Sequence, residues 1–184
     1  MHRVTLDRII NAILFQCCWF GFVAGAAHGS AWWGLPPFAL LAWHALRQAA
    51  TRRSDFMLAG VALLLGLALD GSFANSAALV YADSRVSLLG APWWILAMWV
   101  VFAWTLNHSL SWLRNHPGIA VLLGAIAGPV SYYVAGRAWG ALEFARDVPT
   151  TLVLLGITWG IATGLLVWVT RKFATPTQTA GAPA

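Results

Sequence analysis

The sequence predicts an all-α polytopic membrane protein: a bundle of six transmembrane helices with both termini in the cytoplasm. Three observations predict it. Six apolar runs, each near the roughly 20 residues needed to cross a bilayer, fill most of the 184 residues. Hydrophobic residues make up 60% and charged residues 9% of the chain, with a mean hydropathy of +0.71, whereas about a quarter of the residues of a soluble domain are charged. Among 12 tryptophans, Trp32, Trp33, Trp93, Trp94, Trp112, Trp139 and Trp168 flank the apolar runs, where amphipathic rings settle at headgroup level.

The predicted spans cover residues 9–27, 30–46, 56–73, 92–113, 117–136 and 150–169. Arg3 and Arg8 ahead of the first run resemble a signal peptide. That run is longer than an ordinary signal core and a second follows at once, so it is read as a retained first helix. His28 and Gly29 leave so short a connection that the first two spans must be antiparallel neighbours. Pro92 and Pro117 fall at helix starts, where a missing N–H costs nothing, while Pro36, Pro37 and Pro129 fall inside spans and should bend them. The connection 74–91 is too polar to cross and is expected to fold back over the outer mouth. Residues 1–173 form one transmembrane domain in this reading, and 174–184, without apolar periodicity, form a disordered tail.

Basic residues set the orientation, because Lys and Arg are retained on the cytoplasmic side. Arg3, Arg8, Arg47, Arg52, Arg53, Arg114, Arg171 and Lys172 share the N-terminal face, against Arg85, Arg137 and Arg146 on the other. The net charge of +5 is scattered over short loops and forms no stripe with interleaved aromatics, so membrane lipids are the expected partner and nucleic acid is not.

Small residues recur every fourth position in three sets: Gly21, Gly25, Gly29; Ala120, Gly124, Gly128; and Gly156, Gly160, Gly164. Each set lines one helix face and lets another backbone approach, either within the bundle or from a membrane protein partner. The segments FVAGAAHG (22–29) and YVAGRAWG (133–140) look alike and both end spans at the outer face, as a trace of a repeat or by coincidence of composition. Cys17 and Cys18 are adjacent, which suits neither a disulfide framework nor a metal or redox pair. No cofactor is expected.

Polar groups inside a membrane are costly unless paired, so they are where function is sought. Depth sorts them into two layers. The inner layer holds Asn11, Gln16, His44, Asn107, His108 and Ser111, with Trp104, Asn107, His108 and Ser111 on one face of the fourth helix. The outer layer holds Asp70, Tyr132, Tyr133 and Arg137. Asp70 is expected to pair with Arg137, to accept from Tyr132 or Tyr133, or to be protonated. His108 beside Ser109 suggests a hydrolase, but sequence neighbours on a helix point about 100° apart, and no orienting acid is evident at that depth. His44 and His108 could meet, yet a third ligand for a metal is not evident.

Asn11, Phe15-Gln16 and Trp19-Phe20, the stretch FAWTLNHSLSWL (102–113), GPVSYYVAG (128–136) and GALEF (140–144) together resemble the bacterial inner-membrane family called domain of unknown function 2878. The likeness covers about residues 9–145, with TLNHSL (105–110) its most specific part. It implies a small multi-pass protein of the bacterial inner membrane and names no reaction. More loosely, six spans with GLALDG (66–71) on the third resemble the membrane-embedded substrate-binding subunits of energy-coupling vitamin transporters and related cell-shape subunits. That likeness implies a ligand held beneath an outer loop, or a partner docked on small-residue faces.

Three functions follow as expectations. The first is a non-enzymatic bundle that binds a lipid or small amphiphile, or serves as the membrane subunit of an assembly. The second is a membrane-embedded enzyme acting on lipid or isoprenoid chains through His108 or Asp70. The third is a structural or assembly protein without a ligand.

Overall fold

The architecture, taken from a computed structural model, is described for residues 2–173. The tail expected at 174–184 lies outside the described residues. Six α-helices occur among them: α1 (His2–Ala27), α2 (Leu35–Leu46), α3 (Ala49–Asn75), α4 (Trp93–Thr105), α5 (Pro117–Val134) and α6 (Val148–Phe173). Four segments are long and apolar enough to cross a membrane: Val4–Ala27, Ala49–Asn75, Pro117–Trp139 and Val148–Phe173. Their outer surfaces are apolar, with Leu64 68% and Ile161 66% exposed, which suits hydrocarbon rather than water.

The second and fourth expected spans are corrected to short helices of 12 and 13 residues, roughly 18–20 Å at the ~1.5 Å rise per residue. Each still runs between the two ends of the bundle. The second begins as a 3-10 turn, Ala31–Gly34, and becomes α-helical only where Pro36 and Pro37 supply its first turn, so these prolines start a helix and do not bend one. Its far end brings Arg47 within 3.0 Å of Asp7 near the start of α1. The fourth stops at Thr105, whose hydroxyl donates back to the Phe102 carbonyl at 2.6 Å. Asn107, His108 and Ser109 then occupy a turn before the 3-10 segment Ser111–Asn115. Polar side chains that bond across the bundle compete with helix continuation, so the polar helix face expected there is in fact a non-helical corner.

Small residues set the closest helix contacts. A Cβ on Gly124 would stand 2.6 Å from the Trp159 carbonyl oxygen, and one on Gly156 3.0 Å from that of Ala125, so α5 and α6 approach backbone to backbone. Gly21 and Gly25 of α1 lie equally close to Gly34 and Ser30. These faces are therefore covered by the chain's own segments, except at Gly29, which lies beyond the end of α1 with nothing within 4 Å of its Cβ position. The two similar outer ends share a physical cause: Gly29 and Gly140 both take left-handed backbone, φ +72 and +73, the usual way to stop a helix.

The connections after α3 and α5 carry two short antiparallel ladders, an addition to the all-α expectation. Strand β1 (Leu79–Tyr81) pairs with β4 (Leu142–Phe144), and β2 (Ser87–Leu88) pairs with β3 (Ala91–Pro92). The connection 74–91 is latched over the α1–α2 corner. Asp83 accepts from the Ala31 N–H at 2.7 Å and from Arg85 Nε at 2.9 Å, and the Arg85 guanidinium also donates to the Gly29 carbonyl. The Ala31 N–H, with the Arg85 cation behind it, holds the Asp83 carboxyl below the usual carboxylate range.

Candidate functional site: two buried carboxylates and an intramembrane cavity

Helix α3 buries a stripe at Thr51, Asp55, Leu58, Ala62, Gly66, Asp70 and Phe73, the spacing of three and four residues that keeps one helix face inward. Asp55 and Asp70 both lie on it, roughly 22 Å apart at ~1.5 Å per residue. Their surroundings differ.

Asp70, 1% exposed, sits where three elements converge. Tyr81 from β1 and Tyr132 from α5 donate their hydroxyls to Oδ1 at 2.6 and 2.5 Å, and the Trp99 indole N–H of α4 donates to Oδ2 at 2.6 Å. No basic side chain makes an ion pair with Asp70 among the described residues. Of the outer layer read from the sequence, Tyr132 joins Asp70, while Tyr133 and Arg137 are exposed. Arg137 stands on a π-helical turn, Ala135–Trp139, and the expected Asp70–Arg137 pair does not form. Sequence reasoning missed Tyr81, hidden in a connection too polar to be taken as interior, and Trp99, one aromatic among many. The available signal was GLALDG itself: a Cβ on Gly66 would meet the Trp99 ring at 2.5 Å, one turn below Asp70.

Asp55 is fully buried and anchors the inner layer. Asn107 Nδ2 donates to its Oδ1 at 2.8 Å and to Ser54 Oγ at 3.0 Å, and His108 Nε2 lies 3.2 Å from its Oδ2. Trp104 Nε1 donates to the Asp55 carbonyl at 3.2 Å, and Arg114 reaches Asn107 Oδ1 at 3.1 Å. Asn11 accepts from the N–H and hydroxyl of Ser109 at 3.2 and 2.7 Å, tying α1 to the same corner. The His44 and His108 rings meet at 6.3 Å, and His44 Nε2 lies 3.5 Å from Asp7 Oδ1. Asn11, His44, Asn107 and His108 are thus brought together; Gln16 and Ser111 are not. Gln16 is exposed on another face of α1, and the Ser111 side chain has no bond to the group. An acid does lie within His108's reach, contrary to the expectation: it is Asp55, one residue outside the third expected span. Its place on the Asp70 stripe was the legible clue.

Between α1 and α4 on one side and α5 and α6 on the other lies a cavity of about 540 Å³. Phe15, Gln16 and Trp19 of α1, Trp99 and Phe102 of α4, Tyr132 of α5 and Trp159 of α6 line it. Trp159 stacks on Trp99 at 4.4 Å and meets Phe102 and Tyr132 edge-on at 5.4 and 6.1 Å. The cavity reaches the lipid-facing flank, since its walls include Leu123 and Val130, which are also exposed. At the α1–α5 seam Trp19 Nε1 donates to Ser131 Oγ at 2.8 Å. Inside, the Thr163 hydroxyl is buried with no protein partner. Asp70 stands directly behind the wall, one ring away through Trp99 and Tyr132.

These features define a class: a helical bundle with four helices long and apolar enough to cross a membrane, with an aromatic cavity open along its flank and backed by a buried carboxyl group. The chain belongs to the family described as protein of unknown function (DUF2878), whose model matches residues 8–165. No curated protein and no solved structure matches it.

Proposed function

We propose that this protein is an integral protein of the bacterial inner membrane, with both termini cytoplasmic, that holds the apolar chain of a lipid or small amphiphile in the cavity between α1/α4 and α5/α6. The observation that carries the reading is the cavity itself. Its volume falls within the roughly 300–1,000 Å³ of small-molecule sites, and such sites are mostly apolar with a few placed polar groups. Here Gln16 is such a group, and the Trp19–Ser131 hydrogen bond lies at the rim. An apolar occupant gains dispersion contact with the surrounding rings, and entry from the lipid-facing flank removes the need to pass through water.

The inner cluster acts in this reading as a lock, since His108 and Asp55 are buried and neither lines the cavity. A partner subunit, if the protein works in an assembly, would dock elsewhere than on the glycine faces already covered by the chain's own segments.

Mass spectrometry of gently purified protein tests the proposal. A defined lipid or amphiphile should co-purify, and Ala127→Trp, which fills the exposed rim of the cavity, should abolish its retention while the protein stays folded. Equal retention by both forms removes the cavity from the function. The orientation is tested by reporter fusions at Arg52 and Asp83, which should report opposite compartments.

A further inference from the structure

Where α1 and α3 begin, the first turns of α1 and the α2–α3 corner leave a cleft of about 610 Å³, lined by Leu6, Asp7, Ile10, Arg47 and Gln48. None of these residues lines the aromatic cavity. Asp7 stands one turn inside the apolar segment that starts at Val4, and Gln48 directly precedes the one that starts at Ala49. In a membrane crossed by these segments the cleft therefore lies at headgroup level. The exposed Trp43 ring beside it is of the kind that settles at that boundary.

The polar groups of the cleft are accessible and carry both signs. Asp7 and Arg47 form an ion pair at 3.0 Å, with side chains 41% and 42% exposed. Each spends only part of its bonding capacity on the protein among the described residues: Asp7 uses Oδ1, toward Arg47 and, at 3.5 Å, the buried His44 ring, while Arg47 uses Nη2. Asp7 Oδ2 and Arg47 Nε and Nη1 remain for a ligand. Both side chains are also braced, Asp7 by His44 behind it and Arg47 by the Trp43 ring, 4.9 Å from its guanidinium carbon, so a ligand pays little to order them. A purely anionic headgroup would meet the Asp7 carboxylate and a purely cationic one the Arg47 guanidinium. A headgroup with both charges suits the pair, its phosphate on the guanidinium fork and its ammonium on the carboxylate. Arg47 already covers a face of Trp43, the surface a quaternary ammonium would seek, whereas a primary ammonium has N–H groups to donate to Asp7. Leu6, 56% exposed, and Ile10 supply an apolar flank, which favours a lipid over a soluble phosphate ester.

We propose that this cleft binds the headgroup of an aminophospholipid, with the phosphate on Arg47 beside Gln48, the primary ammonium on Asp7 and the acyl chains along Leu6 and Ile10. The site stands apart from the aromatic cavity, and the experiment separates the two.

Full-length protein, delipidated in detergent, is given equal amounts of phosphatidylethanolamine, phosphatidylcholine and phosphatidylglycerol with identical acyl chains, and retained lipid is read by native mass spectrometry. The ethanolamine lipid should be retained at least ~10-fold over either of the others, a difference of about 1.4 kcal/mol. Asp7→Asn should erase that preference, and Arg47→Gln should lower retention of all three. An exposed ion pair adds little to stability, so both variants should stay folded. Ala127→Trp, at the rim of the aromatic cavity, should leave the preference in place. Equal retention of the three lipids, or a preference for the glycerol lipid, by the unmutated protein overturns the proposal, and that comparison decides the matter even if a variant fails to fold. A preference that survives Asp7→Asn, retention unchanged by Arg47→Gln, or a preference lost in Ala127→Trp overturns it too. Displacement of the lipid by an equal concentration of soluble glycerophosphoethanolamine overturns the assignment to a lipid.

Discussion

Asp55 and Asp70 share one stripe of one helix, yet the first is built into a lock and the second into a wall. Around Asp55 the partners are His108, Asn107 and, through Asn107, Arg114; they come from the corner after α4 and tie it to α3. Neither Asp55 nor His108 lines the aromatic cavity. Around Asp70 the partners are two hydroxyls and an indole, all neutral, and two of the three rings face a cavity. A buried carboxylate needs compensation in either case. The difference teaches that an amide and an imidazole from one corner close the space around Asp55, whereas Asp70 is held by rings from three elements, two of which also form a cavity wall.

Substitutions can break or sharpen that contrast. Asp55→Ala should have the largest effect, about 3–5 kcal/mol of lost stability, because it strands buried donors that have no alternative. Reversible unfolding in mixed detergent measures it. Tyr81→Phe should cost less, roughly 1.5–3 kcal/mol, since Tyr132 and Trp99 still hold Asp70. If it unfolds the protein as readily as Asp55→Ala, the two carboxylates are equivalent locks and the contrast fails. Trp19→Phe removes only the N–H that bridges α1 to Ser131 at the cavity rim, a change of roughly 0.5–1.5 kcal/mol. It should speed the exchange of bound amphiphile more than it lowers the melting temperature, and the reverse pattern would make that bond a plain fold contact.

The smallest effect belongs to the Asp83 latch. The Asp83 carboxyl is held below its ordinary range in the folded protein, so its contribution is full above about pH 4 and is lost as pH falls through the lowered folded value. At pH 7, Asp83→Ala should raise hydrogen exchange in residues 29–34 over the unmutated protein. The gap should narrow as pH falls through that lowered value, where the unmutated latch is protonated too. A gap that is constant with pH would show that the carboxylate charge is not what holds the latch.

Much of the fold was legible because lipid imposes simple demands. The number of helices, the antiparallel first pair, most of the small-residue contacts and the fold-back of the 74–91 connection onto the α1–α2 corner follow from local rules. At the site, Asp70 with Tyr132, and Asn107 with His108, stood out as polar groups in apolar runs. Tyr81 and Trp99 did not, because their roles depend on contacts 11 and 29 residues away from Asp70. Asp55 escaped because it lay one residue beyond the drawn span. Gln16 and Ser111 were assigned by depth alone, and depth does not say which way a side chain points.

By itself the sequence determined the solvent this chain is built for and which few side chains must find partners, since the cost of stripping water from a polar group depends on residue type and hydropathy. Tertiary structure alone decided which partners they found, where the fourth span breaks off, and that a cavity opens beside Asp70 and not beside Asp55. Those outcomes depend on how ridges, glycines and rings from distant segments meet, and no local pattern carries that information.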